Sequence, residues 1–92
     1  MIGRLPGAAL RFARTHPGTY IAVTGEAPRR VRYTISRERR QRWRAERAAE
    51  MPSSGWVVSE SDVRTVETLK AAEEWCEDCA RNDRALLPPE AR

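Results

Sequence analysis

The stretch from Arg29 to Arg47 decides the fold, and it reads RRVRYTISRERRQRWRAER. It carries nine arginines and only two acids, Glu38 and Glu46. Its first part alternates apolar and polar residues, as a half-buried strand does, while its second part is rich in helix-forming arginine. We therefore interpret the rest of the chain relative to this basic segment.

The chain has 92 residues, of which 40% are hydrophobic and 33% are charged. This size and balance predict one small folded domain and leave no room for a deep catalytic cleft between two lobes. We expect a single compact domain over residues 1–84 and an extended C-terminal tail over residues 85–92.

The net charge of +4 conceals a strong asymmetry between the two halves of the chain. Residues 1–49 hold twelve arginines and three acids, whereas residues 50–92 hold four arginines, Lys70 and ten acids. The acidic half either packs beside the basic half or leaves it free to meet an anionic partner. Arginine suits bidentate contacts to phosphate or carboxylate, although a GC-rich genome also enriches arginine together with alanine.

Three features bear on cellular location. The first ten residues do not resemble a signal peptide, and no apolar run approaches the roughly 20 residues that span a membrane. The two cysteines, Cys76 and Cys79, have the low abundance expected of a reducing compartment. We expect a cytoplasmic protein, a monomer or a homodimer, with no membrane partner.

Local patterns predict an α+β domain with the order α-β-β-α-(β)-α. The hairpin is expected because apolar and polar residues alternate on both sides of the Gly25 turn. The expected elements are a helix over 5–15, a hairpin over 19–36, a helix over 37–50, a third strand near 56–58 and a helix from Ser59 to about Arg81. This order predicts a two- or three-stranded antiparallel sheet with helices packed on one face.

Spacing places four arginines of the predicted second helix on one face. Arg37, Arg40, Arg44 and Arg47 follow one another at intervals of 3, 4 and 3, which confines them to an arc of roughly 80°. Trp43 lies next to this stripe. The predicted binding residues are Arg30, Arg32, Arg37, Arg40, Arg44, Arg47, Trp43 and Tyr20.

Guanidinium groups beside an aromatic plane suit phosphate binding and base stacking. We therefore expect a non-catalytic module whose arginine-rich helix docks on nucleic acid. The alternative is a small regulator or inhibitor, of the kind that phages and mobile elements encode, which covers an acidic or nucleic-acid-binding surface of a larger complex. A merely solvated charged face is also consistent with the pattern.

The residues offer little for catalysis or metal binding. Trp75 and the CxxC formed by Cys76 and Cys79 are similar to the thioredoxin redox motif, but that motif should open a helix after a strand. His16 is the one histidine, so a Cys/His zinc site could be completed only by four thiolates from two copies. We expect no cofactor and no metal, with the cysteines as small core residues.

One enzymatic resemblance is faint. Tyr20 after Gly18, then Tyr33 and a following helix with Arg42, are similar to GIY-YIG nucleases, in which two tyrosine-bearing strands precede a helix with a catalytic arginine. The chain departs from that pattern because Ile35 stands at the second motif's glycine and no metal-binding glutamate can be assigned. A degenerate nuclease is a remote alternative.

Overall fold

The computed structural model describes residues 10–27 and 29–86, with side chains through Asn82. This part of the chain forms an antiparallel sheet of six strands and one C-terminal helix. The elements are β1 (Ala13–His16), β2 (Thr19–Thr24), β3 (Val31–Arg39), β4 (Arg42–Met51), β5 (Gly55–Val57), a 3₁₀ turn (Glu60–Asp62), β6 (Val63–Val66) and α1 (Leu69–Leu86). The predicted order and the two- or three-stranded sheet are therefore wrong.

The arginine-rich segment predicted as a helix forms the end of β3, a tight turn and β4. Strands β3 and β4 pair from Val31 opposite Ala49, through Ile35 opposite Ala45, to Arg39 opposite Arg42. Helix propensity differs among ordinary residues by at most about 0.7 kcal/mol, so tertiary pairing can override it. Here β4 pairs with the edge of β3 that the β2–β3 hairpin leaves open, and its backbone satisfies the hydrogen-bonding groups on that edge.

The predicted β2–β3 hairpin is confirmed, with Thr19 opposite Ser36 and Thr24 opposite Val31. The short strand near Trp56 is also present as β5. Its partner is the outer edge of β4, where Ala49 lies opposite Val57. The alternation of Val31, Tyr33 and Ile35 with polar residues in β3 identified the hairpin, because it fits the period of a strand and not that of a helix.

The predicted long third helix is wrong over its first part. Ser59 and Asp62 close a single 3₁₀ turn, in which Ser59 Oγ donates a 2.9 Å hydrogen bond to Asp62 Oδ2. The chain then forms β6 along the same edge of β4 that β5 occupies. Helix α1 begins only at Leu69, where Thr68 Oγ1 accepts the Ala71 N–H and serves as the cap.

The predicted N-terminal helix is wrong where the structure describes it, because Ala13–His16 pairs with β2 as a strand. Residues 5–9 of that prediction lie outside the described residues. At the other end of the chain α1 extends to Leu86, and the rest of the predicted tail lies outside the described residues as well.

The sheet has an inner face packed by α1 and an outer face. Side chains alternate along a strand and cross-strand partners share a face, so Tyr33, Ile35 and Ala45 point inward together. These side chains are fully buried with Ala72 and Cys76 of α1. The outer face carries Arg32, Thr34, Ser36, Arg44, Glu46 and Ala48.

The β3–β4 turn supplies a direct test of strand against helix at this point of the chain. Gln41 has φ of 66°, the left-handed conformation that glycine adopts without the steric cost that a Cβ imposes. We predict that Gln41→Gly raises the free energy of unfolding by about 0.5–1 kcal/mol, as measured by urea denaturation. A glycine inside a helix over 37–50 would instead lower it by about 1 kcal/mol, and that result would contradict the turn.

Candidate polyanion-binding surface

The arginines of the central hairpin lie at both ends of the sheet and on both of its faces. Arg32 is near the start of β3 and Arg39 is at its end, about 23 Å away at roughly 3.3 Å per strand residue. Alternation further separates Arg32 and Arg44 on the outer face from Arg37 and Arg47 on the inner face. The single stripe predicted for a helix is therefore not formed.

At the Arg30 end, arginines support the fold itself. The guanidinium carbons of Arg30 and Arg32 lie 5.4 and 4.7 Å from the centroid of the Trp56 ring, within the range of cation–π attraction. Arg30 also forms a bidentate salt bridge with Glu50, in which Nε donates to Oε1 at 2.9 Å and Nη2 donates to Oε2 at 2.7 Å. This cluster of Arg30, Arg32, Glu50 and Trp56 ties the start of β3 to the end of β4 and to β5.

The pair with Arg30 changes the ionisation of Glu50. Side-chain hydrogen bonds from Arg30 lower the pKa of Glu50 from 4.5 to about 2, helped by the Arg30 backbone N–H and charge and opposed by burial. Glu50 in turn raises the pKa of Arg30. Arg30 is therefore engaged by an internal carboxylate.

Two other predicted binding arginines also have acidic partners within the fold. Arg44 lies 3.7 Å from Glu46 on the outer face. Arg47 lies 3.4 Å from Asp62, and its side chain is 20% exposed. The second pair holds the 3₁₀ turn against β4.

The opposite end of the sheet gathers five arginines, and we call it the basic end: Arg14, Arg37, Arg39, Arg40 and Arg42. It comprises β1, the β1–β2 turn and the tip of the β3–β4 hairpin. Arg42 lies 3.7 Å from Glu38. Among the described residues, the other four form no ion pair with a carboxylate. Exposed Glu67 directly follows Val66, the β6 residue that pairs with Trp43.

A groove of about 550 Å³ opens within the basic end. We call it the basic-aromatic groove; its lining residues are Arg14, Pro17, Gly18, Tyr20, Arg37, Trp43 and Leu69. The Tyr20 and Trp43 rings have centroids 6.3 Å apart and planes tilted by 38°. The guanidinium carbon of Arg37 lies 5.9 Å from the centroid of Trp43. The groove therefore combines aromatic planes with two cations.

Backbone geometry at Gly18 brings the β1–β2 turn close to the hairpin. Gly18 has φ of 78°, and its carbonyl accepts the Arg37 N–H at 2.8 Å. A Cβ at Gly18 would lie 3.3 Å from the Arg37 Cβ, tighter than an ordinary contact. Glycine is needed here for both its conformation and this approach.

Of the predicted site residues, Tyr20, Arg37 and Trp43 come together in the groove, and Arg40 lies at the nearby hairpin tip. Arg30, Arg32, Arg44 and Arg47 lie elsewhere. Sequence reasoning missed Arg14, Arg39 and Leu69 as neighbours of this site. Arg14 falls in the helix predicted over residues 5–15, and no local signal places it opposite Tyr20, which the β1–β2 register does.

The CxxC formed by Cys76 and Cys79 lies within α1 and not at its start, unlike the thioredoxin redox motif. Cys76 is fully buried in the core and Cys79 packs against that core, as predicted for small core residues. Burial raises the pKa of the Cys76 thiol far above its usual range, with smaller contributions from Cys79, Glu77 and Glu73. The described residues form no cluster of three or more potential metal ligands.

The nuclease resemblance loses its structural basis at two positions. Arg42 begins strand β4, whereas the resemblance requires a helix that carries this arginine. Tyr33 is fully buried beneath α1 and is out of reach of a substrate. In the described part of the chain, no helix combines the length and the apolar character needed to cross a membrane.

The Arg30–Glu50 pair predicts a pH dependence of stability. Because the pKa of Glu50 is lower in the folded chain, its stabilising contribution is present above about pH 4.5 and is lost as the pH falls toward 2. We predict that Glu50→Gln lowers the free energy of unfolding at pH 6, as measured by urea denaturation. Between pH 6 and pH 3, the free energy of unfolding of this variant should fall by less than that of the unsubstituted chain. Arg30→Gln should remove the same pH dependence. An unchanged dependence in Glu50→Gln would contradict this assignment.

In comparisons with known proteins, no protein-family model, no curated protein and no solved structure matches the chain.

Proposed function

We propose that this protein is a non-catalytic nucleic-acid-binding module that docks through its basic end. The observation that supports this role is the concentration of arginines at one end of the sheet. Arg14, Arg37, Arg39 and Arg40 form no ion pair with a described carboxylate, in contrast to Arg30, Arg44 and Arg47.

Like charges held together by a fold repel one another, and an external anion relieves that repulsion. Nucleic acid supplies a regular series of phosphates, and arginine binds phosphate through parallel N–H donors. Neutralised phosphates also release condensed counterions, which strengthens binding at low salt. Exposed Arg39 and Arg40 at the hairpin tip can reach a phosphate backbone without rearrangement of the sheet.

Among the described residues, no carboxylate of the acidic half forms an ion pair with an arginine of the basic end. The partners of Arg30, Arg42 and Arg44 are Glu50, Glu38 and Glu46, all within β3 and β4. The acids Glu73 and Glu77 of α1 are buried beside the core, where Glu77 Oε2 accepts the Leu10 N–H at 2.9 Å. These acids therefore serve the helix packing.

A protein-binding regulator is the second candidate, in which the basic end covers an acidic surface. It is favoured by apolar side chains at the opposite end of the sheet: Met51 is 48% exposed and Val57 is 43% exposed. Both lie on the same face of the β4–β5 pair. Nucleic acid gains nothing from such side chains, whereas a protein partner can bury them.

Salt titration tests the nucleic-acid role. We predict that a fluorescein-labelled oligonucleotide binds with a log–log salt slope of roughly −3 to −4 if four phosphates are neutralised, as measured by fluorescence anisotropy. Arg39→Gln/Arg40→Gln should reduce the slope by about 1.5 and weaken binding, because both arginines contact phosphates. The exposed positions should leave the free energy of unfolding within about 0.5 kcal/mol.

A matched control removes the same charge elsewhere. Arg29 lies before β3 at the opposite end of the sheet, and Arg81 lies on α1 in an exposed pair with Asp78. Arg29→Gln/Arg81→Gln should keep the slope and most of the affinity. Equal losses in both variants would indicate an effect of net charge alone, and no binding to any oligonucleotide at low salt would contradict the proposed function.

A further inference from the structure

We propose that the basic-aromatic groove holds an unpaired nucleobase, so that the natural ligand class is single-stranded nucleic acid. This inference rests on the proposed function and deepens it. It assigns the phosphates to the arginines of the basic end and the base to Tyr20 and Trp43. The two parts can be tested apart because one depends on charge and the other on the base.

The size and lining of the groove suit one planar, aromatic ligand. Its volume of about 550 Å³ lies within the range of roughly 300–1,000 Å³ typical of small-ligand sites. Trp43 and Tyr20 offer aromatic surface, and Leu69 adds an apolar wall. Bases stack on aromatic side chains with little dependence on sequence, because every base has a π-face.

The cations of the groove lie where they can contact the sugar-phosphate chain on either side of a bound base. Arg14 comes from β1 and Arg37 from β3, and both line the groove. Arg37 also lies over the Trp43 ring and donates from Nε to the Arg39 carbonyl at 3.4 Å. From Arg37 the strand leads to Arg39 and Arg40, so phosphate contacts continue beyond the groove to the hairpin tip.

The groove discriminates against a duplex for a geometric reason. Both faces of a base within a duplex are covered by its neighbours, so the base cannot enter a groove lined by Trp43 without being flipped out. Bases of a single strand can be splayed apart and stacked on aromatic side chains. A duplex can contact only the exposed arginines, which contact backbone and carry no preference for the base.

The test compares ligands with the same phosphates and different bases. The probes are a labelled 12-nucleotide single strand, the same strand with its bases removed as abasic residues, and the duplex. We predict that the normal strand binds about 5- to 100-fold more tightly than the abasic strand, by fluorescence anisotropy at fixed salt. DNA and RNA strands of one sequence show whether the sugar adds to this preference.

Substitutions assign the preference to the groove. Trp43→Leu removes the aromatic plane and keeps an apolar side chain. This variant should therefore bind the normal strand and the abasic strand with the same affinity. Trp43→Phe should restore most of the difference. Trp56→Phe is the matched control, because Trp56 contacts Arg30 and Arg32 in the cluster at the other end. It should leave the difference unchanged.

Trp43 packs against the core, so Trp43→Leu can perturb the fold as well as the groove. Tryptophan fluorescence tests base stacking without a substitution at Trp43. A chain with Trp56→Phe and Trp75→Phe retains Trp43 as its one tryptophan. Its emission should be quenched by the normal single strand and not by the abasic strand.

The possible failures are distinguishable. Equal, salt-dependent binding of normal and abasic strands, without quenching of Trp43, would overturn the groove assignment and leave the proposed function standing. Absence of binding by every strand at low salt would overturn both.

Discussion

The hydrogen-bonded ladder between β3 and β4 is the constraint on which the rest of the structure depends. Its register places Ala45 opposite Ile35, and this small side chain lets α1 pack closely on the centre of the inner face. It also gives β4 an outer edge along which β5 and β6 pair in succession. At one end the same ladder brings Arg37 opposite Trp43, so the groove is a consequence of this register.

The ladder also divides the arginines into two groups with different roles. Toward the start of β3, Arg30 pairs with Glu50 and lies over the Trp56 ring. Along β4, Arg44 and Arg47 have their own acids. At the hairpin tip Glu38 lies 3.7 Å from Arg42, and Arg37, Arg39 and Arg40 form no ion pair with a described carboxylate.

Sequence patterns predicted the fold only where the spacing of apolar residues fitted the period of a strand and excluded that of a helix. The β2–β3 hairpin was predicted correctly because Val31, Tyr33 and Ile35 alternate with polar residues around a glycine turn. The segment 37–50 was not, since arginine, alanine and glutamate favour a helix locally and no local signal opposes them. A strand forms there because Ala45 and Trp43 have partners on both sides in the sheet, which are contacts between distant parts of the chain. The same limit explains why Arg14 was missed, because the β1–β2 register that places it opposite Tyr20 joins separate strands and leaves no local signal.

The sequence by itself determined the concentration of arginine around residues 29–47, the opposite charge of the C-terminal half and the alternation that forms the first hairpin. These follow from composition and from nearest neighbours along the chain. Only the tertiary structure decided which arginines have internal partners and which form the basic end. An ion pair such as Arg47 with Asp62 or Arg30 with Glu50 joins residues 15 or 20 positions apart. Strand register sets the distance between such residues, so it decides which described arginines pair with a carboxylate of the fold and which remain exposed without an ion pair.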